Sequence, residues 1–217
     1  MKRLLAVCLA VAVAGASQAA IILTFDHVLP GDHIPYTGTV ARLTLSDVSP
    51  GVVQATLEHF SSAADPNRFI AELYLNVAPF VQLSYFGSIP DEISSPVLTK
   101  PNPDSWNADG GWYHDAMVDF NQAPPRLTAG KTVAWQMTSS SPFLAGSFAA
   151  NAVRHDGSPT DVSAVIHLQG IGPGGSDSTW LHATSWVDDQ SVPVPEPSTL
   201  ALIGLAALAG WRRRVRR

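Results

Sequence analysis

Apolar and polar residues alternate strictly along six stretches of this chain of 217 residues. In the stretch 69–77, apolar residues at the odd positions alternate with Glu72, Tyr74 and Asn76. Because successive side chains of a β-strand point to opposite faces, this pattern predicts strands with one buried face. The other five stretches are 41–46, 53–58, 112–120, 132–138 and 162–169, and three further candidate strands are 21–25, 80–86 and 180–187.

Turn-forming residues separate the predicted strands. Glycine, proline, asparagine and aspartate are concentrated at 30–33, 49–51, 64–67, 101–111, 157–161 and 170–177. Short strands with one polar face each, separated by turns of this kind, predict an all-β fold. We expect a two-sheet antiparallel sandwich of jelly-roll type that occupies 20–191 as a single domain. The best candidate for one short turn of helix is 142–152.

The charge of the chain is distributed unevenly. Of its 13 basic residues, two lie in the first three positions and five in the last six, which leaves six for the interior. All 18 acidic residues lie between Asp26 and Glu196, so the interior carries a formal charge of −12. Because an acidic body repels the phosphate backbone, nucleic acid is excluded as a partner.

Residues 1–19 have the three parts of a secretory signal peptide. A basic start is followed by the apolar run 4–14 and by small residues that fit a signal-peptidase site. We therefore expect export through the secretion translocon and cleavage by signal peptidase between Ala19 and Ala20. The alternative is an uncleaved anchor, although the apolar run has about half of the roughly 20 residues that a spanning helix needs.

The C-terminal segment 192–217 combines three elements in order. A proline-rich spacer, which must be extended, precedes the uncharged apolar run 200–211. As a helix, this run spans roughly 18 Å of a hydrocarbon core about 30 Å thick. We predict one short apolar helix that enters the inner membrane transiently. By the positive-inside rule, its cytoplasmic basic anchor is Arg212, Arg213 and Arg214.

The order of these elements resembles the PEP-CTERM sorting signal, which is also catalogued as the ice-binding-protein C-terminal domain. Its tripeptide corresponds here to Pro195, Glu196 and Pro197. The resemblance implies that an exosortase, a membrane-embedded transpeptidase-like enzyme, recognises and processes this tripeptide. It also implies export in an exopolysaccharide-producing Gram-negative bacterium, to the cell surface or the extracellular space. An ordinary tail anchor behind a proline linker is the alternative.

The loop 101–111 contains a candidate calcium site. Oxygen-bearing side chains recur before a glycine turn, and Ca²⁺ prefers six to eight oxygen ligands. Alanine occupies the position where a closing glutamate is expected, so a plain turn rich in Asx residues and glycine is the alternative. No other cofactor is predicted. The candidate ligands are Asp104, Asn107, Asp109 and Asp115.

The chain lacks the common catalytic patterns. It has no Gly-x-Ser-x-Gly elbow and no short-spaced zinc signature, and its one cysteine lies in the N-terminal apolar run. One hypothesis is that His155 and His167 meet across a hairpin, and the alternative is that His167 is an ordinary surface histidine of a strand. The carboxylate pairs at 91–92 and 188–189 lie in loop-like stretches, where carboxylates are usually solvent-exposed surface charges. We therefore predict that the protein is not an enzyme.

Three functions agree with these observations. The first is a non-enzymatic surface or matrix protein that associates with exopolysaccharide. The second is a calcium-dependent carbohydrate-binding or adhesive module. The third is a carbohydrate-active enzyme on a jelly-roll scaffold, which would need two facing carboxylates in one groove. Aromatic side chains more often pack in the core, but exposed ones stack on sugar rings, and the candidates for this role are Tyr74, Tyr85, Tyr113 and Trp186.

Overall fold

Antiparallel strands make up about half of the described residues. The computed structural model describes residues 20–30, 36–109, 111–158, 160–183 and 186–188, all within one unit, Ala19–Asp189. Its strands are β1 (Ala20–Phe25), β2 (His27–Val28), β3 (Ala41–Ser49), β4 (Val52–His59), β5 (Phe69–Leu75), β6 (Leu83–Phe86), β7 (Trp106–Ala108), β8 (Trp112–His114), β9 (Ala116–Asp119), β10 (Leu127–Thr128), β11 (Thr132–Ser139), β12 (Val153–Arg154), β13 (Ala164–Ile171), β14 (Asp177–Ala183) and β15 (Trp186–Asp188).

Six of these strands form sheet 1, in the order β15-β1-β3-β4-β11-β6. β3 and β4 are a hairpin whose two connecting residues are Pro50 and Gly51, and Gly51 has a φ of 75°. Because an L side chain is strained at such an angle, glycine suits this turn. The predicted strands 41–46, 53–58 and 132–138 therefore become neighbours in one sheet.

Sheet 2 has the order β10-β5-β13-β14-β2, and β9 also pairs with β5. All its pairings are antiparallel. β13 and β14 form a hairpin around a short 3₁₀ turn, Pro173–Gly175. This hairpin contains the predicted turn at 170–177. The predicted strand at 180–187 is divided: its first part lies in β14, which ends at Ala183, and its last part lies in β15 of sheet 1.

The main core contains residues from both sheets. Leu43, Leu57 and Trp135 of sheet 1 belong to the same buried cluster as Leu73 and Ile166 of sheet 2. These residues occupy the apolar positions of the alternating pattern. The prediction of half-buried strands is confirmed for β3, β4 and β11 of sheet 1, whereas β5 of sheet 2 is buried on both faces. The mostly β architecture with antiparallel sheets agrees with a β-sandwich, and the jelly-roll type stays a prediction.

A third sheet, β12-β8-β7, was not predicted. Ala108 and Trp112 of this sheet share a second buried cluster with Tyr74, Met117 and Val165 of sheet 2. Tyr74 and Val165 alternate with residues of the main core, so they lie on the opposite face of sheet 2. Sheet 3 therefore covers part of the outer face of sheet 2, and the two-sheet prediction misses this layer.

The predicted strand 112–120 is divided at Asp115. β8 belongs to sheet 3 and β9 to sheet 2, although the sequence alternates across the break. The predicted helical turn within 142–152 is confirmed as a 3₁₀ turn, Ala145–Phe148. Among the residues that the structure describes, no helix is long and apolar enough to cross a membrane.

Candidate functional site

Two of the predicted calcium ligands, Asp104 and Asp115, lie together. The backbone N–H of Asp104 donates to Oδ1 of Asp115 at 3.0 Å, and the N–H of Val77 donates to Oδ2 at 2.8 Å. Asp115 is 7% exposed. Burial, and then the charge of Asp115, raise the pKa of Asp104. Both oxygens of Asp115 thus already accept backbone hydrogen bonds that hold the loop.

The other two candidate ligands lie at the far end of the same loop. Asn107 is an exposed residue of β7 and pairs with Tyr113, and Asp109 follows the strand with a φ of 48°. Within the described ranges, no group of three or more His, Cys, Asp or Glu residues is placed to hold a metal ion. The calcium site, whose ligand set also includes an asparagine, stays a prediction.

The predicted sugar-stacking residues are less accessible than expected. Tyr74 is 5% exposed in the second core, so its assignment as an exposed aromatic was wrong. Tyr85 is half-buried against the main core. Tyr113 is also half-buried, with its ring centre 5.8 Å from that of His155. The side chain of Trp186 lies outside the described residues.

Of the three buried histidines in the described residues, His59 and His114 are wholly inaccessible to solvent, and His182 is 5% exposed. Nδ1 of His59 lies 3.1 Å from the carbonyl oxygen of Leu127, and burial lowers the pKa of His59 to about 4. Nδ1 of His114 lies 3.2 Å from the amide nitrogen of Asn76, and burial lowers the pKa of His114 to about 3. At neutral pH both rings are therefore uncharged structural groups.

The hypothesis that His155 and His167 meet was wrong. His155 follows β12 and contacts Tyr113 of sheet 3. His167 lies in β13 of sheet 2 and stacks on Trp180, with ring centres 4.1 Å apart and an interplanar angle of 5°. The two histidines therefore belong to different sheets.

The structure brings together a carboxylate pair that we did not predict. Glu72 of β5 is the cross-strand partner of Asp119 of β9, so their side chains share the outer face of sheet 2. Oε2 of Glu72 lies 3.2 Å from Nδ1 of His167. The loop-like pair at 91–92 keeps a surface position, where Asp91 is exposed. Of the pair at 188–189, residue 189 lies outside the described ranges.

A cleft of about 490 Å³ opens beside sheet 2, and we call it the Arg68 cleft. Five of its lining side chains carry hydroxyl groups, one carries a carboxylate and one a guanidinium. Its volume lies within the range of small-ligand sites, about 300–1,000 Å³. The lining residues are Tyr36, Thr37, Thr39, Ser61, Ser62, Ala64, Asp65, Arg68, Ile171 and Gly172.

Two loops are held together at the cleft. The N–H of Gly172 donates to Oδ1 of Asp65 at 3.2 Å, and the N–H of Asp65 donates to Oγ of Ser62 at 3.1 Å. Gly170 has a φ of 74°, and a Cβ there would lie 2.9 Å from the carbonyl oxygen of Asn67. Glycine is therefore required for the β13–β14 turn to approach the loop that precedes β5.

Arg68 is buried at the cleft, with an exposed fraction of 3%. One Nη donates to the hydroxyl of Tyr36, and the other donates to the carbonyl oxygen of Phe60 at 2.9 Å. Nε is buried with no hydrogen-bond partner among the described residues. Burial lowers the pKa of Arg68. The ion pairs of the described residues are Asp26–His27, Arg42–Glu58 and Glu72–His167, and none includes Arg68.

The cleft has no local signature in the sequence, because its walls come from three separate segments, 36–39, 61–68 and 171–172. One usable signal was the scarcity of basic residues. Arg68 is one of only six in the interior, and it directly precedes β5. Its burial depends on the fold, so the charge count alone did not distinguish it from a surface cation.

The C-terminal segment identifies the class of protein. Residues 193–217 match the family model described as the PEP-CTERM protein-sorting motif. Neither a curated protein nor a solved structure matches the chain. The chain thus combines an antiparallel β body with a signal for exosortase sorting, which supports its assignment to the exported proteins of the cell surface or the extracellular space.

Within that class, the chain carries a PEP-CTERM sorting motif, as its tripeptide and arginine cluster predicted. The residues assigned to the signal-peptidase site, the tripeptide and the basic anchor stay predictions. Of these residues, only Ala20 lies within the described ranges, as the first residue of β1. The assignments outside the ranges are Ala19, Pro195, Glu196, Pro197, Arg212, Arg213 and Arg214.

Proposed function

We propose that this protein is a non-enzymatic component of the bacterial surface or extracellular matrix that associates with exopolysaccharide. The observation that carries the proposal is the sorting motif at 193–217, since export to the cell surface would bring the β body into contact with secreted polysaccharide. The interior charge of −12 makes nucleic acid and anionic membranes poor partners at that location.

The chemistry of the Arg68 cleft supports sugar binding. Five hydroxyl groups, a carboxylate and a half-buried tyrosine ring line it. Sugars offer many hydroxyl groups to hydrogen-bond and apolar ring faces that pack on aromatic side chains. Among the described lining residues, Asp65 alone carries a carboxylate, whereas glycosidases normally use two. This composition favours binding over hydrolysis.

A calcium-dependent module is the second candidate, and the position of Asp104 favours it. Its backbone N–H donates to Oδ1 of Asp115 at 3.0 Å, and burial, followed by the charge of Asp115, raises the pKa of its carboxyl. A bound cation would relieve the repulsion between the two carboxylates. Calcium would then raise the melting temperature of the protein, and Asp104→Asn would abolish the increase. An unchanged melting temperature would remove this candidate.

A glycan array screened with residues 20–191, with and without calcium, tests the proposal. We expect the same polysaccharide-derived glycans to bind in both conditions, and chromatography of the bound glycans to show no shortening. Binding only with calcium would select the second candidate. Shortened glycans would indicate a carbohydrate-active enzyme. No retained glycan in either condition would contradict association with exopolysaccharide.

A further inference from the structure

We propose that the Arg68 cleft binds the carboxylate of an acidic sugar residue, such as a uronic acid within a polysaccharide. This inference rests on the proposed function and names the class of sugar that the cleft selects. It starts from an imbalance of charge: a guanidinium that is 3% exposed has no carboxylate partner among the described residues.

Burying a charge without a counter-ion costs free energy of folding, because the protein interior solvates an ion less well than water does. The hydroxyl of Tyr36 and the carbonyl of Phe60 satisfy two N–H groups of Arg68 but carry no negative charge. A carboxylate supplied by a ligand would compensate the charge in a site that is already formed. The planar guanidinium also matches the two oxygens of a carboxylate better than an ammonium group does.

The other lining groups determine how such a sugar would lie. Asp65 repels a carboxylate, so the acidic group is directed toward Arg68 and the sugar hydroxyls toward Asp65. Oδ1 of Asp65 accepts the N–H of Gly172, and its other oxygen is the natural acceptor for a sugar hydroxyl. Thr37, Thr39 and Ser61 are exposed at the cleft and offer hydroxyl groups to the ring.

The test uses two matched probes and the full chain purified in detergent. One probe is a short oligosaccharide that contains glucuronate. The other is the same oligosaccharide after carboxyl reduction, so that –CH₂OH replaces –COO⁻ and the remaining sugar chemistry is unchanged. Hydrogen bonds to a charged group are stronger than neutral ones, so we expect the acidic probe to bind about tenfold more tightly in calorimetry.

Three variants locate the binding. Ala64→Trp fills the cleft from an exposed lining position, and its control is Ala63→Trp, an exposed neighbour that does not line the cleft. Arg68→Met removes the charge. We expect Ala64→Trp to abolish binding of the acidic probe and Ala63→Trp to retain it. If Arg68→Met fails to fold, Ala63→Trp and Ala64→Trp still test whether the cleft is the site, and the two probes still test whether it selects acidic sugars.

Each result has a distinct meaning. Equal affinity for both probes, lost in Ala64→Trp, would overturn selection of acidic sugars and leave sugar binding in place. Binding that survives Ala64→Trp would overturn the cleft as the site. No binding of either probe would overturn this inference, while the glycan array judges the proposed function separately with other sugars.

Discussion

At the scale of single residues, Asp115 joins parts of the chain that the sequence keeps apart. Its carboxylate accepts the backbone N–H groups of Asp104 and Val77 from a buried position at the boundary between sheets 2 and 3. Its value as a calcium ligand was predicted from residue type and spacing. Its role as a loop anchor depends on a 38-residue separation from Val77, which no local pattern reveals.

We expect Asp115→Ala to lower the free energy of unfolding by about 3 kcal/mol, because two backbone N–H groups lose an ionised acceptor. Urea denaturation followed by tryptophan fluorescence measures the change. Asp91→Ala is the control, since Asp91 is exposed and its change should stay within about 0.5 kcal/mol. Equal effects of the two substitutions would contradict the anchoring role.

The buried histidines make stability depend on pH. Burial lowers the pKa of His59 from 6.5 to about 4. Between these two pH values the ring is therefore protonated in the unfolded state and neutral in the folded state. Stability from this group is therefore complete above pH 6.5 and is lost progressively as the pH falls toward 4, by at most about 1.4 kcal/mol per pH unit. The same sign applies to His114, whose pKa is about 3.

We expect His59→Gln to flatten the decline in stability between pH 6.5 and 4 relative to the wild type. Denaturant melts at half-unit intervals of pH give the two slopes, and their difference cancels the contribution of the carboxylates. His155→Gln, at an exposed position, is the control and should leave the slope unchanged. Parallel curves for the wild type and His59→Gln would contradict a neutral, buried His59.

At the scale of elements, the turn between β13 and β14 determines whether the Arg68 cleft forms. Gly170 and Gly174 have similar φ angles, 74° and 80°, but only Gly170 faces another backbone segment within 4 Å. Alanine at either position suffers strain of about 1–2 kcal/mol from the left-handed backbone. We expect Gly170→Ala to cost more stability than Gly174→Ala, because its Cβ also collides with Asn67. Thermal melts of both variants compare them, and equal costs would contradict the close approach.

The strands were largely predictable and the cleft was not, for one physical reason. Alternation reports which face of a strand is buried, so 41–46, 53–58 and 132–138 were recognised from local sequence. It does not report which sheet a strand joins, so 112–120 was read as one strand and sheet 3 was missed. The cleft needs segments more than 100 residues apart, and their meeting depends on sheet pairing.

At the scale of the whole molecule, the acidic interior should influence how a charged sugar binds. The formal charge of −12 repels an acidic oligosaccharide at long range, while Arg68 attracts its carboxylate at short range. Salt shortens the Debye length from about 30 Å at 10 mM to about 10 Å at 100 mM and screens the repulsion first.

We therefore expect the affinity for the glucuronate probe to rise several-fold from about 10 to about 100 mM salt, as measured by calorimetry. Affinity for the carboxyl-reduced probe should not change, which makes it the control. A fall in affinity for the acidic probe would indicate ordinary screening of an exposed positive patch and would contradict binding at a buried cation on an acidic body.

The central claim is that both apolar ends are sorting segments that processing removes from a separately folded β body. Intact-mass spectrometry of the protein recovered from the medium and surface of cells that encode an exosortase tests it most directly. The predicted result is a chain that begins at Ala20 and ends near 195–197, and that accumulates unprocessed when the exosortase is deleted. Exported protein that still carries both Met1 and Arg217 would contradict the account.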